Sequence, residues 1–88
     1  MNYLHSEFNL EPSDVVEVEI NKAANVQLMD YTNFQNYKNG RRYKYYGGYF
    51  RESPVRISVP HSGHWHLVVD LGGAGGVLRA SSSVIRMG

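Results

Sequence analysis

The chain has no cysteine. That absence removes disulfides, thiolate zinc sites and a cysteine nucleophile together. Small secreted domains commonly need disulfide staples, so a cytoplasmic location is expected. Long apolar runs are missing too. No stretch approaches the length of a membrane span, and Met1–Glu7 lacks the basic region and apolar run of a signal peptide, so no membrane partner is expected. Charge of one sign is equally scarce: nine Lys and Arg stand against eight Asp and Glu, a net +1. A balance so near neutral disfavours nucleic acid and anionic membranes as partners. With only 88 residues, the chain reads as a single domain over 1–88. A domain of this size buries only about 65% of its unfolded surface, which leaves little material for a catalytic cleft. No enzyme is expected.

Tyrosine, by contrast, is plentiful: there are seven, a residue type that packs well on pleated strands. Turn signals recur every several residues, and the segments between them read as short strands. These are Tyr3–Leu10, Val15–Ile20, Val26–Met29, Arg41–Tyr46, Val55–Val59, His64–Leu71 and Val77–Ile85. Val15–Ile20 is the clearest, because Val16, Val18 and Ile20 alternate with Glu17 and Glu19, giving one buried and one wet face. Gly47-Gly48 is expected to break a strand, and Gly72–Gly76 to form a flexible loop with positive-φ positions. The segment Asp30–Gly40 lacks alternation. Asp30, Thr32 or Asn33 can cap a helix there and Gly40 can end it. Phe34 and Tyr37, three apart, would share a face of it. The expected fold is all-β, a small sandwich or partly open barrel of about seven short strands, with one short helix capping an open end.

Candidate site residues fall in two groups. His64 and His66 lie two apart on an expected strand, so both point to one face, expected to be wet, while Trp65, Leu67, Val69 and Leu71 point to the core. Two such imidazoles can ligate zinc or a similar metal, with His61 or His5 as a third ligand, and Asp70 lies farther along the same face. The second group is the stretch Lys38–Arg51, where Arg41, Tyr43 and Tyr45 would share one strand face and Arg42, Lys44 and Tyr46 the other. Interleaved aromatics and cations can stack bases or line a sugar site, but a solvated basic face over an aromatic core side is the plainer reading. The serines Ser81–Ser83 carry no nucleophile-elbow motif, and alternation turns Ser82 inward with Ala80 and Val84. The glycine run is followed by a strand and lacks the Gly-Lys-Ser/Thr ending of a phosphate loop.

Several short strings stand out together: Leu4-His5-Ser6-Glu7-Phe8, Asp14-Val15-Val16-Glu17-Val18, Asn33-Phe34 with Tyr37, Tyr45-Tyr46-Gly47-Gly48, Val59-Pro60-His61-Ser62-Gly63-His64-Trp65-His66 and Asp70-Leu71-Gly72-Gly73. This pattern resembles a small bacterial family known only as a domain of unknown function, from about Met1 to Ile85. The His61–His66 run is its most specific part. Members of that family occur alone or fused ahead of Toll/interleukin-receptor-like domains. The resemblance implies an all-β, barrel-like or sandwich fold with a capping helix and brings no catalytic residues. The fused architecture implies a recognition or adaptor module, by analogy of context. The function expected on these grounds is a non-enzymatic binding module for a protein or small ligand, with His61, His64, His66, Tyr43 and Tyr45 at its surface. The alternative is a metal-binding domain using His64 and His66, with zinc as its cofactor.

Overall fold

The computed structural model describes residues 3–86. It contains seven strands and one helix: β1 (Tyr3–Leu10), β2 (Val15–Ile20), β3 (Ala24–Met29), α1 (Tyr31–Lys38), β4 (Tyr46–Phe50), β5 (Val55–Ser58), β6 (Gly63–Asp70) and β7 (Ala80–Ile85). The strands form a four-stranded sheet in the order β1-β6-β3-β4 and a three-stranded sheet in the order β5-β2-β7. Every pairing is antiparallel. The two sheets do not join into a barrel, so of the two expected architectures the sandwich is the one formed.

Alternation decides which side chains fill the space between the sheets. Val16 and Val18 of β2, Val55 and Ile57 of β5, Val26 and Leu28 of β3, and Trp65, Leu67 and Val69 of β6 belong to one buried cluster. Each fully buried Val or Leu contributes roughly 1.5–3 kcal/mol relative to an exposed one, so this cluster holds the sheets together. On the wet side of the smaller sheet, Glu17 sits opposite Arg56 in register and bonds it at 2.9 Å. Ser82 faces inward as expected, lining a small crevice with Val18 and Leu67, yet it stays exposed on the edge strand β7.

Three expectations need correction. The helix does not cap an open end of the sandwich. It lies on the outer face of the larger sheet, where Phe34 and Tyr37 form a second buried cluster with Met29 and Val68. Asp30 is its N-cap, accepting from the Asn33 amide at 2.9 Å, and Gly40 follows the Asn39 C-cap at φ 70°. A consequence is that the outer face of β6 is dry from His66 onward: His66, Val68 and Asp70 are all buried, while His64 stays exposed. Finally, residues 41–45 are not a strand, and the fourth strand instead runs through the two glycines. Gly47 has φ 124°, and a Cβ there would run into the Val26 carbonyl oxygen. Gly47 is required because β4 lies so close to the Val26 carbonyl of its neighbour β3 that only a residue without a side chain fits.

Gly47→Ala should therefore be costly, by about 2 kcal/mol or more from the strained φ together with the backbone clash. Gly48→Ala is the control, since a Cβ there meets nothing within 4 Å. Urea denaturation of the two variants should separate them clearly. Equal stability of Gly47→Ala and wild type would contradict this account of β4.

Candidate functional site

The outer face of the larger sheet is built in rows by strand register. Tyr3 pairs with Asp70 and Asp70 with Asn25; Glu7 pairs with His66 and His66 with Met29; Asn9 pairs with His64. The face thus collects His5, Glu7 and Asn9 from β1 beside His64, His66 and Asp70 from β6. Helix α1 covers its middle. The polar atoms at the β1 side converge tightly.

His5 Nε2 and His66 Nδ1 are 2.9 Å apart. Their rings are 12° from parallel with centroids 5.1 Å apart, the separation an in-line bond between ring nitrogens produces, so the imidazoles lie edge to edge. One nitrogen must donate and the other accept, so a single proton is shared across the contact. Phe34 stacks over both rings, at 4.3 Å from His5 and 4.6 Å from His66. Lys38 sits 4.9 Å from the centroid of that same Phe34 ring. His66 is buried, and its Nε2 has no hydrogen-bond partner among the described residues. Burial pushes its pKa down, against the pull of the Glu7 carboxylate 3.9 Å away.

His64, half exposed, bonds Glu7 Oε1 through Nε2 at 2.7 Å and Asn9 Oδ1 through Nδ1 at 2.9 Å. The His64 hydrogen bond holds the Glu7 carboxyl below its ordinary pKa. His5, Glu7 and His66 together bring three potential ligand atoms within 4.8 Å of one another.

The expected site residues separate into three places. His64 and His66 do share a face, with His5 as the third histidine; His5 and His64 are exposed, but His66 is buried. His61 does not join them. Its ring packs 4.9 Å from Trp65, on the opposite side of β6, and its carbonyl accepts the Trp65 Nε1–H at 3.3 Å. Asp70 lies on the histidine face but is committed elsewhere, accepting from Tyr37 at 2.6 Å, Asn25 at 2.8 Å and the Gly72 amide at 2.9 Å. Tyr43 is half-buried, donating to Gln27 Oε1 at 3.1 Å and packing edge-on against Tyr37. Tyr45, exposed, leans on Tyr43 at 5.5 Å. Both tyrosines stand in the segment leading into β4 rather than on a strand face. Glu7 is the group that sequence reasoning missed. Its signal was the His5-x-Glu7 alternation on β1, but only the β1–β6 register brings it to His66 and His64.

The opposite edge of the same sheet has a different character. Tyr45, Tyr46 and Tyr49 are exposed there, in a stretch that also carries Arg41, Arg42, Lys44 and Arg51. None of these four cations has an ion-pair partner among the described residues. Elsewhere, an open cleft of about 390 Å³ lies between β1 and the glycine loop, lined by Tyr3, Leu4, Leu71 and Leu78. Tyr3 is the one titratable residue in that lining.

The chain belongs to the DUF1883 family, a domain of unknown function, whose model matches residues 1–88. No curated protein and no solved structure matches it.

Tyr37 anchors α1, and with it the Phe34 cover over the histidines. Burial and the Asp70 carboxylate push the Tyr37 phenol well above its usual range. Tyr37→Phe leaves a buried carboxylate short of a donor and should cost about 1–3 kcal/mol. The raised pKa sets the sign with pH. The native state favours the neutral phenol, so the contribution is complete below the unfolded pKa of about 10 and is lost as pH climbs above it. Denaturant titrations at pH 8 and above pH 10 should show the gap between wild type and Tyr37→Phe narrowing. A gap that stays constant would remove the Tyr37–Asp70 bond as its source.

Proposed function

We propose that this DUF1883 chain is a non-enzymatic interaction module that recognises an acidic, extended segment of a partner protein along the edge around β4. One observation carries the reading. From Tyr31 to Arg51 the chain has Lys38, Arg41, Arg42, Lys44 and Arg51 and not a single Asp or Glu, and this stretch ends in an edge strand flanked by exposed tyrosines.

The physical case has three parts. β4 pairs with β3 on one side and with no strand on the other among the described residues, so its outward backbone groups can accept an added strand. Exposed tyrosines offer large, rigid contact area at low entropic cost. Cations without local partners steer an acidic segment and set its salt dependence. The resemblance to bacterial domains fused ahead of Toll/interleukin-receptor-like domains supports the same role, a recognition unit beside an effector. The non-enzymatic part rests on separation. Ser81–Ser83 belong to β7 of the smaller sheet, whereas His5, His64 and His66 stand on the outer face of the larger one. A cysteine-free chain suits the reducing cytoplasm, and no helix among the described residues is long and apolar enough to cross a membrane.

The test is fluorescence anisotropy with a labelled peptide of about ten residues in which Glu and Val alternate. Binding is expected for this peptide and not for its Lys/Val counterpart, weakening as salt rises. The double reversal Arg41→Glu with Arg42→Glu, and separately Tyr49→Ser, should each weaken it about tenfold, or roughly 1.4 kcal/mol. Equal binding of both peptides, or an unchanged affinity in the reversed variant, would sink the proposal. So would self-association of the reversed variant without any peptide binding, because the cations would then only guard the edge.

A further inference from the structure

The geometry points to a binding site for one divalent transition-metal ion, of the zinc class, on the outer face of β1 and β6. Its ligands are His5 Nε2, Glu7 Oε1 and His66 Nδ1, which all lie within 4.8 Å of one another, and His64 holds Glu7 in position through its Nε2 at 2.7 Å. The site is independent of the recognition edge, since β1 and β4 lie at opposite sides of the four-stranded sheet.

Ligand spacing is the first argument. N and O ligands at about 2.0–2.2 Å around a tetrahedral zinc stand roughly 3.3 Å from one another, and three protein ligands leave the fourth position to water. Two of the separations in this group bracket that value: 2.9 Å from His5 Nε2 to His66 Nδ1 and 3.9 Å from His66 Nδ1 to Glu7 Oε1.

The chemistry of the contacts is the second. A nitrogen lone pair and a carboxylate oxygen, or two nitrogen lone pairs, cannot face each other at these distances without positive charge between them. Each short contact must therefore hold a proton or a metal ion. Imidazole with one carboxylate is the donor set that suits zinc, copper or nickel over magnesium or calcium.

Orientation and burial are the third. Ligating histidines are normally fixed by a hydrogen bond on the other ring nitrogen. The ligating carboxylate is positioned likewise, since His64 bonds Glu7 and is itself fixed from Nδ1 by Asn9 Oδ1 at 2.9 Å. His66 is held instead by the flat stacking of Phe34, because its Nε2 is buried and has no bonding partner among the described residues. That stacking keeps His66 Nδ1 aimed at His5 Nε2 and the Glu7 carboxylate.

Calorimetric titration of the chelator-treated chain with zinc chloride tests the site. One ion per chain should bind, the melting temperature should rise, and magnesium chloride should give neither effect. Cobalt(II) should develop visible absorption on binding. His64→Ala and Glu7→Gln change exposed side chains and should keep the melting temperature of the metal-free chain. Each should weaken zinc binding by at least about tenfold, since losing even a group behind a ligand costs that much. His61→Ala, on the far side of β6, should bind like wild type. Absent zinc binding overturns the proposal, as does an affinity unchanged in both His64→Ala and Glu7→Gln, or one reduced equally in His61→Ala. None of these results bears on peptide binding at β4, so the two proposals fail separately.

Discussion

The pairing of β1 with β6 is the constraint on which the histidine face depends. It runs unbroken from Tyr3↔Asp70 to Leu10↔Gly63. Side chains along a strand alternate, so a slip of one residue would send His5 and Glu7 into the space between the sheets and bring Leu4, Ser6 and Phe8 out. Hydrophobic burial blocks that slip. Phe8 and Leu10 pack into the main core, and Trp65, Leu67 and Val69 face them from β6. The polar convergence outside is thus held in register by apolar packing inside. The site itself contributes little of the energy that keeps it assembled.

Helix α1 is the second support, and it changes the character of a face that alternation alone would leave wet. Its two inward aromatics do different jobs. Tyr37 reaches the buried Asp70, while Phe34 lies flat over the His5–His66 pair. A row of touching rings then crosses the sheet, from His66 and His5 through Phe34, Tyr3 and Tyr37 to Tyr43 and Tyr45. The two edges of the sheet, one rich in imidazole and the other in tyrosine and arginine, share this aromatic backing.

Much of this was legible in the residues. The alternation of Val16, Val18 and Ile20 marked β2, and the Asp30 and Gly40 signals bounded the helix within a residue or two. The core side of β6 was equally plain. What could not be read was what lay on the other side of that strand, although a clue was present. Leu67-Val68-Val69 is apolar on consecutive positions, which signals a strand covered on both faces, and His66 shares the face of Val68. Gly47 misled in the opposite way. Glycine ordinarily interrupts a strand, but here it lets two strands approach where a side chain would collide. Glu7 was invisible as a site residue for a deeper reason. Its partners are assigned by a long-range register, and no local pattern encodes which strand pairs with which. His61 is the converse, close in sequence to His64 but turned to the other side of the sheet.

The distance along the chain between these partners also shapes how the molecule comes into being. His5 and His66 are 61 residues apart in sequence. On a ribosome, β1 emerges before β6 and waits while the five elements between them are made, because β6 is its only strand partner among the described residues. Contacts of such span close late and slow the search for the native state. Until then a growing chain displays a strand with both backbone edges open and an unassembled set of imidazoles. The polar face is therefore a certificate of correct assembly: it exists only once β6 has been synthesised and paired in register with β1.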